Sequence, residues 1–204
     1  MSTQKLTPGT TALLVLPTIL WASNAIVGRL IHDQVPPITL NFFRWLVAFT
    51  ILLFVGRQVL RRGSNLWTNW KRYSILGLLG IGIYNALQYL ALQSSSPINV
   101  TLVNASLPFW MLVIGRLFFK SIVNGRQLVG GLMSLLGVVL VLTRADWHEL
   151  IAFRFVPGDV YMVIATIAWA IYSWMLSTRR HEGVIAETWA TVVMAQVFFG
   201  LIWS

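Results

Sequence analysis

The chain has 204 residues, and 15 Lys and Arg against 6 Asp and Glu give it a formal charge of +9. Hydrophobic residues make up 57% of it and charged residues 10%, where a soluble domain carries roughly 45–50% and about 25%. These figures exclude an ordinary soluble domain, and the lack of Cys excludes disulfides, thiolate metal sites and Cys nucleophiles.

The basic residues sit between long apolar runs and not on a polar surface, so membrane topology explains them better than nucleic acid. A bilayer core of about 30 Å takes roughly 20 helical residues at about 1.5 Å each. Seven runs meet that length. The first, Thr10–Ile31, follows Lys5 and ends without a small-residue cleavage site, so it reads as a retained span and not a signal peptide. Trp21 and Asn24 form a polar and aromatic face on it, Pro17 marks a kink, and Arg29 reads as a snorkelling anchor near its end.

The second run, Pro37–Gly56, carries Arg44 about 10 Å below the membrane surface, too deep for easy snorkelling. Asn41 and Ala48 fall on its face at i−3 and i+4. An ionisable group inside a span is expensive, and two roles fit this one. It is either a cavity or gate cation that attracts an anionic group such as a carboxylate, or a structural Arg that caps carbonyls and bonds to neighbouring helices.

The third run, Tyr73–Leu92, clusters Tyr84, Asn85 and Gln88 at helical spacing, and amides facing lipid would be costly, so this face looks inward. Its Gly77, Gly80 and Gly82 have no strand before them and read as close helix packing, not a nucleotide loop. The fourth, Asn99–Phe119, offers Asn104 with Trp110, kinks at Pro97 and Pro108, and an anchor at Arg116. In the fifth, Arg126–Thr143, Gly130 and Ser134 form a small-xxx-small packing pair. The sixth, Pro157–Ser177, presents Trp169 with Tyr172. The seventh, Val184–Trp203, holds Glu187 near its start, either a proton-coupling carboxylate or an interfacial acid.

Charge fixes the orientation. Lys5, Arg57, Arg61, Arg62, Lys71, Arg72, Lys120, Arg126, Arg179 and Arg180 fall on one side, ten of the 15 basic residues. The positive-inside rule then puts the N-terminus in the cytoplasm. Trp67, Trp70, Trp147 and Trp203 lie at or near span ends, as interfacial anchors do.

Thr18-Ile19-Leu20-Trp21-Ala22 in the first span matches Thr166-Ile167-Ala168-Trp169-Ala170 in the sixth. Five spans separate the copies, and an odd number forces the second to insert upside down, as in inverted-repeat transporters. The expected organisation is a first repeat of five helices over 1–143, an extracytoplasmic loop over 144–156, and two helices of a second repeat over 157–204.

Three stretches carry a family likeness: Trp21-Ala22-Ser23-Asn24, Pro37 through Arg44-Trp45, and Tyr84 through Leu92 leading into Ser94-Ser95-Ser96-Pro97 and Asn104-Ala105-Ser106-Leu107-Pro108. With Gly130-Gly131, Gly137 and Gly158-Asp159, the chain resembles the EamA-type branch of the drug/metabolite transporter superfamily. The resemblance implies an all-α polytopic membrane protein with an inverted 5+5 helix repeat, a central cavity and alternating access. Seven of ten helices would be present in this chain.

The expected function is therefore secondary transport, in the export direction, of small metabolites, amino acids or drugs across the cytoplasmic (inner) membrane. The substrate would meet Trp21, Asn24, Asn41, Arg44, Tyr84, Asn85, Gln88, Asn104, Trp110, Trp169 and Tyr172. Expected partners are the lipid bilayer and a small-molecule substrate, with a homodimer as one option and no nucleic acid. No enzyme, cofactor or metal is expected: His32, His148 and His181 are far apart and no Walker sequence is present. The alternative is a non-transporting membrane scaffold or a degenerate half-transporter fragment whose polar residues only join helices.

Overall fold

A computed structural model describes residues 7–31, 33–142, 156–178 and 189–203. The described chain is all-helical, with no strand among the described residues. Its elements are α1 (Pro8–Leu30), α2 (Pro37–Gly56), a single tight turn over Arg57–Leu60, α3 (Asn65–Thr68), α4 (Trp70–Gly77), α5 (Tyr84–Ser94), α6 (Pro97–Asn104) and α7 (Leu107–Phe118). They continue with α8 (Gly125–Leu142), α9 (Pro157–Thr178) and α10 (Trp189–Trp203). Among the described residues, four rods are long and apolar enough to cross a membrane: Pro37–Phe54, Trp70–Ser94, Pro97–Phe118 and Pro157–Ser177. Val15–Leu30, Gly125–Leu140 and Val193–Trp203 are apolar but shorter. Among the residues expected to matter, Lys5, Arg179, Arg180, Glu187, His32, His148, His181 and Trp147 lie outside the described residues, as does the expected loop over 144–156 apart from its last residue.

Two rods change their hydrogen bonding partway along. Between α4 and α5 the ladder widens over Leu78–Ile83 to the i+5 pattern, a form that often marks functional sites. Two carbonyls of this wide turn accept side-chain amides: Asn85 Nδ2 donates to the Gly80 carbonyl at 2.6 Å and Asn41 Nδ2 to the Ile81 carbonyl at 3.2 Å. Between α6 and α7 the cause is Pro108, which has no N–H to give to the Asn104 carbonyl. Ser134 Oγ from α8 donates to the next carbonyl, that of Ala105, at 2.8 Å, so a neighbouring helix bonds the backbone beside the break.

The α4–α5 rod is the centre of the bundle. On one side α9 packs against α5, α6 and α7, and Tyr84, Tyr89, Leu92, Val100, Val103 and Met162 form an apolar cluster. On the other side α10 packs against α4 and α2, around Leu66, Tyr73, Leu76, Ala195 and Phe199. Glycines allow the close approaches: a Cβ at Gly77 would lie 2.7 Å from the Gly200 nitrogen, and one at Gly80 would lie 2.9 Å from the Tyr172 ring. These contacts fit close packing, the role read from the glycine spacing. The expected Gly130–Ser134 pair is corrected: a Cβ at Gly130 would meet nothing, and Gly131 is the residue that packs, against Leu112. A one-residue error turns a helix face by about 100°.

Contacts also give relative directions. Asn24 meets Tyr89 while Arg29, further along α1, donates to the Leu92 and Gln93 carbonyls, so α1 runs beside α5 in the same direction. Arg29 thus caps the C-terminal end of α5, a more specific role than the expected snorkelling anchor. By contrast Gly158 lies against Ala91 and Ser95 while Tyr172 reaches Gly80, so α9 runs against α5. The two helices that share the Thr-Ile-x-Trp-Ala sequence therefore point in opposite directions.

Candidate functional site

A cavity of about 580 Å³ opens midway along the helices. Pro17, Leu20, Trp21 and Asn24 line it from α1, Arg44, Trp45 and Ala48 from α2, and Gly80 and Ile81 from the wide turn. Tyr84 and Asn85 of α5, Trp169 and Tyr172 of α9, and Val193, Gln196 and Val197 of α10 complete it.

Arg44 forms the polar end. Its guanidinium donates from Nη1 to Asn24 Oδ1 at 2.9 Å and from Nη2 to Asn85 Oδ1 at 2.5 Å. Because Arg has donors only, both amides must present their oxygens to it. That choice aims Asn85 Nδ2 at the Gly80 carbonyl, so one side chain ties the cation to the wide turn. The guanidinium carbon also lies 5.0 Å from the Trp45 ring centre and 5.4 Å from that of Tyr89. Tyr89 Oη donates to Asn24 Oδ1 at 2.6 Å. Among the described residues, all hydrogen-bond partners of Arg44 are neutral and no Asp or Glu lines the cavity.

Another part of the lining is aromatic. Trp169 is its centre, with ring centres 4.5 Å from Tyr84, 4.8 Å from Tyr172 and 5.7 Å from Trp21. Tyr172 Oη donates to Gln196 Oε1 at 2.7 Å. This uses the carbonyl of Gln196 and leaves its amide N–H groups without an acceptor among the described residues.

Seven of the eleven expected residues line the cavity: Trp21, Asn24, Arg44, Tyr84, Asn85, Trp169 and Tyr172. Four do not. Asn41 is fully buried and turned to the Ile81 carbonyl, because the wide turn leaves an acceptor there. Gln88 is buried one helical turn past Asn85, beyond the level at which the lining ends on α1 and α5. Asn104 stands before the Pro108 break and Trp110 after it, where Trp110 Nε1 donates to Ser106 Oγ at 3.2 Å. The break separates the two residues that regular helical spacing had joined.

Sequence reasoning missed Trp45 and Gln196. Gln196 is the only amide in the seventh run, so the argument applied to Asn85 would have found it. Trp45 follows Arg44 directly and had no polar signal of its own.

Residues 10–143 match the model of the EamA-like transporter family. The chain is 30% identical to an uncharacterized transporter of Archaeoglobus fulgidus over 93% of its own length and 66% of the relative's. It is 25% identical to the uncharacterized transporter YyaM of Bacillus subtilis, over 74% of this chain and 49% of that one. A third relative, an uncharacterized transporter of Methanothermobacter thermautotrophicus, is 22% identical over 82% of this chain and 53% of its own. The chain thus spans about half to two thirds of the length of these relatives. No solved structure matches it.

Proposed function

Since the chain belongs to the EamA-like transporter family, we propose that it is a secondary transporter that carries a small amphipathic metabolite through the mid-span cavity by alternating access. The observation that carries this reading is Arg44: a cation between apolar helices, open to a cavity and, among the described residues, held by neutral partners alone. A structural Arg in hydrocarbon is expected to be neutralised by a carboxylate or fully bonded within the bundle. A substrate-binding Arg keeps its charge for a ligand that comes and goes.

The meeting of Trp21 and Trp169 at 5.7 Å supports the inverted-repeat reading, since residues related by a two-fold axis approach each other near that axis. The reading includes seven spans in this chain, a cytoplasmic N-terminus, residence in the inner membrane and export as the direction. The substrate contacts are Trp21, Asn24, Arg44, Tyr84, Asn85, Trp169 and Tyr172, with Trp45 and Gln196 added.

Efflux of radiolabelled hydrocinnamate and phenylalanine from proteoliposomes holding the full gene product tests this. Flux of either compound is expected, and Arg44→Ala should cut it by about tenfold or more with unchanged membrane yield. Yield that falls in step with flux supports the scaffold reading instead.

A further inference from the structure

Three residues of the cavity wall carry buried N–H donors that have no acceptor among the described residues: Asn24 Nδ2, Arg44 Nε and Trp45 Nε1. They come from two helices and sit around one guanidinium. Buried donors without partners are rare in folded proteins, and a cluster of them asks for an acceptor that the described residues do not supply. The orientation of the Asn24 amide is fixed by Arg44, which can only donate to its oxygen, so Nδ2 is a donor and not a misassigned acceptor. A carboxylate matches this set: two oxygens with several lone pairs and one negative charge, facing one positive charge.

The rest of the cavity constrains the remainder of the ligand. The aromatic wall around Trp169 suits a flat or apolar body. Gln196 accepts from Tyr172 at its oxygen, and its amide N–H groups, without an acceptor among the described residues, favour an acceptor on the ligand. Among the described residues no acidic side chain lines the cavity, so its ring faces are all that could receive an ammonium group, and no carboxylate there offsets the charge of Arg44. An α-amino group next to the carboxylate would stand within a few ångströms of the guanidinium and be repelled by it.

Building on the transporter reading above, we infer that the cavity selects organic monoanions with an apolar or aromatic body, and discriminates against zwitterionic amino acids and cationic amines. The carboxylate binds at Asn24, Arg44 and Trp45, the body lies on Trp169, and Gln196 takes a distal acceptor.

Four probes of similar shape test this in the purified full gene product by quenching of tryptophan fluorescence: hydrocinnamate, hydrocinnamamide, phenylalanine and phenethylamine. Hydrocinnamate is expected to bind about tenfold or more tightly than each of the others. Asn24→Asp places a carboxylate beside Arg44 and should reduce the preference for hydrocinnamate over its amide to about twofold or less. This variant gains an ion pair at the site, so it should keep its melting temperature, and Arg44→Gln should show the same loss of preference. Trp45→Phe keeps the ring and removes one donor, and should weaken hydrocinnamate alone by about threefold to tenfold.

Equal or tighter binding of phenylalanine or phenethylamine overturns the inference. So does a preference that survives both Asn24→Asp and Arg44→Gln, or the failure of all four probes to bind. Hydrocinnamate binding without flux in proteoliposomes defeats the transporter reading and leaves the selectivity standing. Flux that favours phenylalanine does the reverse.

Discussion

Helices α1 and α9 carry nearly the same five residues in very different surroundings. In α9, Thr166 and Ala170 are fully buried and Trp169 packs into the cluster formed with α5 and α6. In α1, Ile19, Leu20 and Trp21 are 56%, 61% and 50% exposed. Both segments are helical, because the local sequence favours a helix in either place. Burial differs because α9 lies against three helices while α1 leans mainly on α5. In a bilayer the exposed apolar face of α1 carries no penalty, since lipid tails are as apolar as Leu. The lesson is that a repeated motif fixes the element and the residue that meets its counterpart, and neighbours fix its energetics.

The sharpest way to break this comparison is to truncate both tryptophans. Trp169→Ala removes the ring that touches Tyr84, Tyr172 and Trp21 and should cost about 3–5 kcal/mol, read as thermal unfolding in detergent. Next in size is Gly158→Ala at the start of α9, where a Cβ would strike the Ala91 carbonyl and the Ser94 and Ser95 side chains. It should cost about 1–3 kcal/mol and also disturb the buried bond from Ser95 Oγ to Asp159 Oδ1. Smallest is Trp21→Ala, expected to cost about 1 kcal/mol or less while still lowering flux, because this ring is half exposed. A loss as large as that of Trp169→Ala would mean that α1 is packed as tightly as α9.

How much of the site was legible follows from the kind of signal each residue gave. Arg44, Asn24 and Asn85 stood out because polar groups in apolar runs demand partners, and they found each other. Gln88 carried the same signal and lies elsewhere, because its helical face was right and its depth was not. Asn104 and Trp110 were joined by a spacing that holds only in an unbroken helix, and Pro108 interrupts it. Trp45 gave no signal, since an aromatic residue in a span packs against lipid or protein as readily as it lines a cavity.

By itself the sequence determined that the chain is helical and membrane-bound, because runs of apolar residues of bilayer length leave the backbone no other way to satisfy its own hydrogen bonds. It also supplied the one cation that had to face inward. Tertiary structure decided which amides reach that cation and which serve the backbone. The i+5 turn at Leu78–Ile83 presents carbonyls that draw Asn41 away from the cavity and bind Asn85 at its edge. No periodicity encodes that division, because it depends on the distance between α2 and the wide turn of another rod.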